Sequence, residues 1–435
     1  MGLRKAVSML TRRPALLVAA PVLVAIAASS SPVLGQSLAN RIASAGDRSV
    51  QFNYPARPGV CGDGRTYIST GSGNFYGSFS TNATDPCQPG PVRVVADLAD
   101  RNVVALRYYV GAPPAAVDAG VANLGTVTPE EAADYLLGVA SRADGRVGRD
   151  AIFAALLGDK VDATSRLLEI GRDQNRPLET RRAALSGLGR SDAPQLDKIG
   201  AALVQIATNE NDVQGVRTQA LSVLSRLDHG AGIPPLVQLA SGNINSWIGR
   251  ESMRVLSSSG DPRARQFLRS TAQRTDLPDE LLAVAIRGLG RNYVTGQDAV
   301  LLRSLYPRLT GERSRDAVLA SISELGGSDN VQWLVGVVRD EKLTPEARRR
   351  ALDYLARAGA TTPSLLALYD PMPDPQLRGA LINIYSRLAD KAATDKLIWI
   401  ARNEPNPQLK RRAISALSRN SDPTIRQALA DIVER

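Results

Sequence analysis

Histidine occurs once in the 435 residues, at His229, and cysteine twice, at Cys61 and Cys87. A Ser-His-Asp triad, a two-histidine zinc site or a histidine-relayed acid and base pair would each have to use His229 or do without it. That residue sits beside Gly230 with no nucleophile near it and reads as an ordinary loop histidine. The chain is therefore read as non-enzymatic, with no catalytic residue, metal ligand or cofactor assigned. Aromatics are only 4% of the chain, and eight of the nineteen fall between residues 49 and 110, so stacking positions for nucleic acid are few elsewhere. Nucleic acid is not expected as a partner. Lysine is scarce as well: 7 of the 53 basic residues are Lys and 46 are Arg.

The apolar run from Ala15 to Ala28 holds 14 residues and contains Pro21, short of the roughly 20 that a membrane-spanning helix needs. Preceded by Arg4, Lys5, Arg12 and Arg13 and followed by small residues, it has the order of an export signal over residues 1–35. Cleavage fits after Gly35 or after Ala39. The mature chain is then expected in the periplasm or outside the cell, with no permanent membrane span. Losing the four leader charges lowers the net charge from +10 to +6, which is only moderately basic.

Residues 36–111 are expected to form a small β-rich module. Ser49 to Tyr54 alternates (SVQFNY), and Val92 to Leu98 and Val103 to Tyr109 flank Asp100, Arg101 and Asn102 as a hairpin would. Two cysteines in an exported chain, with 25 residues between them, predict a Cys61–Cys87 disulfide. Such a cross-link is worth about 3 kcal/mol in the chain-entropy picture. Gly71, Gly73 and Gly77 miss the spacing of a phosphate-binding loop, and no helix follows them. Phe75 and Tyr76 in that same loop are candidate contacts for a partner. Residues 112–127, opening with APPAA, read as a linker.

From residue 128 to 435 the chain repeats itself. Aligned on Leu156, Leu188, Leu224, Leu256, Leu289, Leu325, Leu355, Ile384 and Leu417, the units are 29 to 36 residues apart. Ala or Ser stands four residues before most anchors, one helical face. Each anchor helix is preceded by a partner with its own apolar column, such as Leu203, Val204 and Ile206. No such pair buries both faces alone, so neighbours must stack and share a core. Thr128 with Pro129 and Glu131 predicts a capping box at the first helix, and Thr344, Asp374 and Asn406, each before a proline, predict helix caps at fixed phase.

The phrase RRAALSGLGR from Arg181 to Arg190, with Asp212 and Arg217, Asp374 and Arg378, and Asp422 and Arg426, resembles HEAT repeats, including the HEAT-like units of phycobilin lyases. The resemblance implies a mainly α fold: a right-handed α-solenoid of about nine helix pairs behind the β-rich module, with an Asp–Arg ladder between units and the second helices on the concave side. It also implies a rival function, bilin attachment or isomerisation, which acts on cytoplasmic pigment proteins and so fits an exported chain poorly.

On the second helices, positions six, five and two before the anchor face away from it at 100° per residue. They hold Arg182, Arg250, Arg349, Arg378 and Arg411, then Arg350 and Arg412, then Arg254 and Arg287. The column two after the anchor adds Arg190, Arg226, Arg291, Arg357 and Arg419. This stripe is expected either to hold an acidic protein surface or anionic envelope polymer, or to be partly neutralised by acids such as Glu179 and Glu346. Trp399 stands in a column otherwise polar or small; it is a candidate contact, or else it packs beneath the terminal helix. The functional expectation is an extracytoplasmic scaffold for a protein partner.

Overall fold

The computed structural model describes residues 36–64, 67–69, 88–111, 120–143, 145–189, 195–291, 296–388, 390–419 and 423–433. The leader, the loop with Phe75, Tyr76 and Cys87, and also Arg190 and Asp422 lie outside them. A short helix, α1 (Leu38–Ser44), precedes seven strands: β1 (Ser49–Tyr54), β2 (Val60–Gly62), β3 (Tyr67–Ser69), β4 (Gln88–Pro89), β5 (Val92–Ala99), β6 (Asn102–Val110) and β7 (Ala122–Thr126). They form a four-stranded sheet in the order β6-β5-β1-β7 and a three-stranded sheet β3-β2-β4. The β5–β6 turn is tighter than the expected three residues. Asp100 and Arg101 alone make it, with φ of 48° and 61°, the left-handed backbone that two-residue hairpins require.

β7 corrects the expected linker at 112–127. It pairs in parallel with β1, whose other edge is taken by β5, so the module runs to Thr126. The segment ANLGT is short and nowhere fully buried, and so gives no alternation to read.

The array follows as nine helix pairs among the described residues: α2 (Pro129–Ala140) with α3 (Gly145–Ala155), α4 (Thr164–Arg172) with α5 (Leu178–Leu188), and α6 (Leu196–Thr208) with α7 (Gln214–Leu224). Next come α8 (Ile233–Gly242) with α9 (Trp247–Leu256), α10 (Pro262–Ala272) with α11 (Asp279–Gly290), and α12 (Gly296–Leu305) with α13 (Glu312–Leu325). The last are α14 (Ser328–Arg339) with α15 (Pro345–Arg357), α16 (Thr362–Leu366) with α17 (Pro375–Tyr385), and α18 (Lys391–Asn403) with α19 (Pro407–Leu417), ending in α20 (Pro423–Val433). At most joints the second helices pack on one another more extensively than the first helices do, which puts the second helices on the inner side of the curve. None of the described helices is long and apolar enough to cross a membrane.

Most anchors are fully buried, Leu188, Leu224, Leu256, Leu289 and Leu355 at 0% exposure. Two are not. In α3 the core takes Ile152 and Ala155 and leaves Leu156 half-buried just past the helix; in α13 it takes Ile322 and leaves Leu325 half-buried.

The module is welded to the first pair. Tyr54, fully buried, donates its hydroxyl to the Ala154 carbonyl at 2.6 Å, and Phe52 meets Tyr135 edge to face. Arg57 N donates to Leu157 O at 2.8 Å and Asp159 N to Pro55 O at 3.2 Å. Thr128 caps α2 as expected, but the Glu131 carboxylate does not complete the capping box. It accepts from Leu38 N at 2.6 Å and lies 3.6 Å from Arg41, tying α1 to the array. One hydrophobic core runs unbroken from Leu38 to Ile425, so the module covers the apolar end that a repeat array must hide.

Candidate interaction surface

Arginines on the second helices fall into two sets, one residue apart in sequence. Arg181, Arg217, Arg315, Arg348 and Arg378 stand seven residues, about two turns, before Leu188, Leu224, Ile322, Leu355 and Tyr385, and so share the core face. Each donates Nε to a carbonyl at or just beyond the end of the preceding first helix: Gly171 at 3.1 Å, Ala207 at 3.0 Å, Leu309 at 2.7 Å, Val338 at 2.8 Å and Met372 at 2.7 Å. Carbonyls there lack helical partners, and a guanidinium supplies both donor and favourable charge.

The ladder between units draws on this set and on the first helix α10, with partners other than those expected. Asp212 belongs to Arg181 of the unit before, at 2.8 and 2.5 Å, with side chains 3% and 4% exposed. Asp374 caps its own helix, while Arg378 reaches Glu404 of the next unit at 3.4 Å, where Tyr369 also donates at 2.7 Å. Burial, then that hydrogen bond to Glu404, raises the Tyr369 hydroxyl well above its ordinary pKa. A third rung joins Arg265 and Arg269 to the fully buried Asp298, each at 2.6 Å. Arg378 was expected in the exposed stripe. The buried seam of α17 runs through Tyr385, one residue beyond the anchor Ile384, and that turns Arg378 inward.

The other set is exposed: Arg182, Arg250, Arg254, Arg287, Arg349, Arg350, Arg411 and Arg412. Arg254 is bound by Glu251 on its own helix, and Arg350 lies 3.3 Å from Glu312 of the previous unit. Among the described residues no carboxylate lies within 4 Å of Arg182, Arg250, Arg287, Arg349, Arg411 or Arg412. Glu179, expected to neutralise Arg182, sits instead 3.8 Å from Arg149. Arg412 reaches across to α17, where Gly379 leaves room for it: a Cβ there would collide with its Nη1.

Trp399 is 47% exposed on α18, with Lys396 Nζ 4.4 Å over its ring. That exposure does not match packing beneath α20, and α18 belongs to the outer layer, so Trp399 stands apart from the arginines. His229 is exposed in a turn, and its carbonyl accepts from Arg263 at 3.3 Å.

The sequence reading missed an apolar row. Leu178 and Val213, at the starts of α5 and α7, are 44% and 54% exposed, and half-buried Trp247 opens α9 beneath the Arg217 guanidinium at 4.3 Å. Arg182 and Arg250 stand one turn further into α5 and α9. The available signal was at the cap positions, which hold Pro177 and Val213 where later units have Thr344, Asp374 and Asn406.

No family model matches the sequence, and no curated protein matches it. Solved structures do resemble it. Human deoxyhypusine hydroxylase in complex with glycerol is 17% identical, covering 59% of this chain and 95% of that one, at a TM-score of 0.25. Lipovitellin is 13% identical over 79% and 40%, at 0.36, and a TOG-domain array of a microtubule polymerase 12% over 70% and 91%, at 0.25.

Proposed function

We propose that the protein is an exported, non-enzymatic scaffold of the HEAT-repeat type whose inner layer holds an acidic protein partner. The observation that carries this reading is the division among its arginines: the core-facing set is bonded to carbonyls of the array, with Arg181 and Arg378 also reaching carboxylates, while six guanidiniums on the second helices are exposed with no described carboxylate beside them. Several such groups on one face attract and orient an acidic surface, with bidentate geometry available at each. Leu178, Val213 and Trp247 beside Arg182 and Arg250 favour a partner that brings apolar side chains as well as carboxylates, and so a protein over a bare polyanion. The HEAT assignment rests on the unit spacing, the helix pairs and the inter-unit ladder. Export rests on the basic and apolar leader. The proposed Cys61 cross-link is supported by register: Cys61 pairs with Pro89 across β2 and β4, two residues along the chain from Cys87.

The test is capture from envelope extract with wild type and with Arg349, Arg411 and Arg412 all changed to Glu, leaving Arg378 untouched because it is structural. Wild type should retain a partner that moderate salt weakens and the triple variant should lose it. Equal capture by both, insensitive to salt, eliminates this surface, and complete displacement by polyphosphate moves the reading to an anionic polymer.

A further inference from the structure

Where the N-terminal module meets the array, α1, the β5–β6 hairpin, α2 and α3 enclose a cavity of about 560 Å³. Ile42, Leu98, Val103, Val139 and Val147 line it, and Val104, 55% exposed, stands at its lip. Four polar side chains join them: Tyr135, Arg101, Arg142 and Asn102, whose amide donates to the Asp100 carbonyl at 3.0 Å. The Tyr135 hydroxyl makes no hydrogen bond with any described residue, and no described carboxylate lies within 4 Å of either guanidinium. Arg101 is set by its backbone, with φ at 61° and its N–H bonded to Asp47 at 3.0 Å. Size, a place between two folding units, and a lining divided between aliphatic and polar side chains suit a small molecule that carries both kinds of surface.

We infer that this cavity binds a single-chain amphiphile with a carboxylate head, of the fatty-acid class, its chain among the valines and its head held by Arg101, Arg142 and the Tyr135 hydroxyl. The aliphatic side chains reward a methylene chain. A guanidinium matches a carboxylate in both charge and fork geometry. Burial pushes the Tyr135 phenol up to about 12, so it stays protonated and able to donate across the physiological range. This site is independent of the arginine stripe, which lies on other elements.

The test titrates monomeric dodecanoate and dodecanol into the purified protein by calorimetry. Dodecanoate should bind one to one. Arg101→Gly with Arg142→Gln should weaken it at least tenfold while dodecanol binds unchanged; glycine accepts the left-handed backbone at 101 without strain. Ala43→Trp, an exposed lining position, should block both ligands at an unaltered melting temperature. The inference is overturned if wild type binds neither ligand below the micellar range, if the double variant holds dodecanoate as tightly as wild type, or if only phosphatidylglycerol vesicles bind.

Discussion

Second helices α5 and α7 begin differently from α9, α15, α17 and α19; Ser246 caps α9, accepting from Gly249 N at 3.1 Å. In α15, α17 and α19 the cap residues Thr344, Asp374 and Asn406 accept from backbone N–H groups two or three residues on. In α5 and α7 the same place holds Pro177 and Val213, with no side-chain cap. Between them, α13 begins at Gly311 and is capped by its neighbour: Asp279 of α11 accepts from Arg313 N at 2.8 Å and Ser314 N at 3.0 Å. Pro177-Leu178-Glu179 and Pro278-Asp279-Glu280 are the same phrase with one change. Leu178 lies against Gly215 of the next helix, as Asp279 lies against the start of α13, but it brings methyl groups and no acceptor. Repeat arrays add their stability unit by unit, so a unit can forgo a cap without unfolding the rest. The difference places the exposed Leu178 and Val213 at helix starts that carry no side-chain cap.

The strongest way to break this division is at the ladder, which should be indifferent to it. Arg181→Met leaves Asp212 buried without its counter-charge, and removing one member of such a pair costs about 3–5 kcal/mol. Arg182→Met, one residue along and exposed, should stay within about 0.5 kcal/mol of wild type. Denaturant unfolding of the two variants measures the contrast directly. Equal losses would show that the core-facing and exposed sets have been assigned to the wrong faces. Adding Asp212→Leu to Arg181→Met should restore most of the loss, because the buried charge goes with it.

That contrast also marks where the sequence was legible. The anchors, helix pairs and β1 were readable because apolar spacing is set by the helix and strand periods. Arg181 and Arg182 look alike on the page, and only the phase separates them: seven before an anchor returns to the core face, six before leaves it. A charged residue on a core face is easily passed over, which is why the ladder partners were misjudged. Arg378 needed a one-residue shift of the buried seam to Tyr385 that composition does not announce. The Asp279 cap joins positions 34 and 35 residues apart, and β7 pairs with a strand far earlier in the chain. Neither leaves a local pattern. The cavity with Tyr135 and Arg101 likewise exists only once the module has docked.

A smaller effect sharpens the comparison of helix starts. Leu178→Asp should give α7 the neighbour's cap that α13 already has and raise stability by about 1 kcal/mol, the usual worth of an N-cap. Thr344→Ala should lower it by a similar amount at a capped start. Thermal melts of the pair read both signs. If Leu178 is contact surface, the stabilised variant should also capture less partner than wild type; a variant both more stable and fully competent would make Leu178 a chance exposure.

The smallest effect is in acid. Burial pushes the Asp279 carboxyl up, but hydrogen bonds from Ser314 and Arg313, with the Arg313 charge, outweigh it and hold the group below its ordinary 3.8. A carboxyl whose folded value is lowered contributes stability that is fully present above the unfolded value and is lost as pH falls through the folded one. The Asp279 contribution should therefore be constant down to about pH 4 and disappear below it. Asp279→Ala should be less stable than wild type at neutral pH and converge on it as the pH drops. Leu178→Asp, if it caps α7 in the same way, should show the same loss of its gain in acid. Melting temperatures of the three proteins between pH 7 and pH 2.5 decide it: curves that stay parallel throughout would mean that neither carboxylate is held by the next helix, and that these helix starts differ for some reason other than their caps.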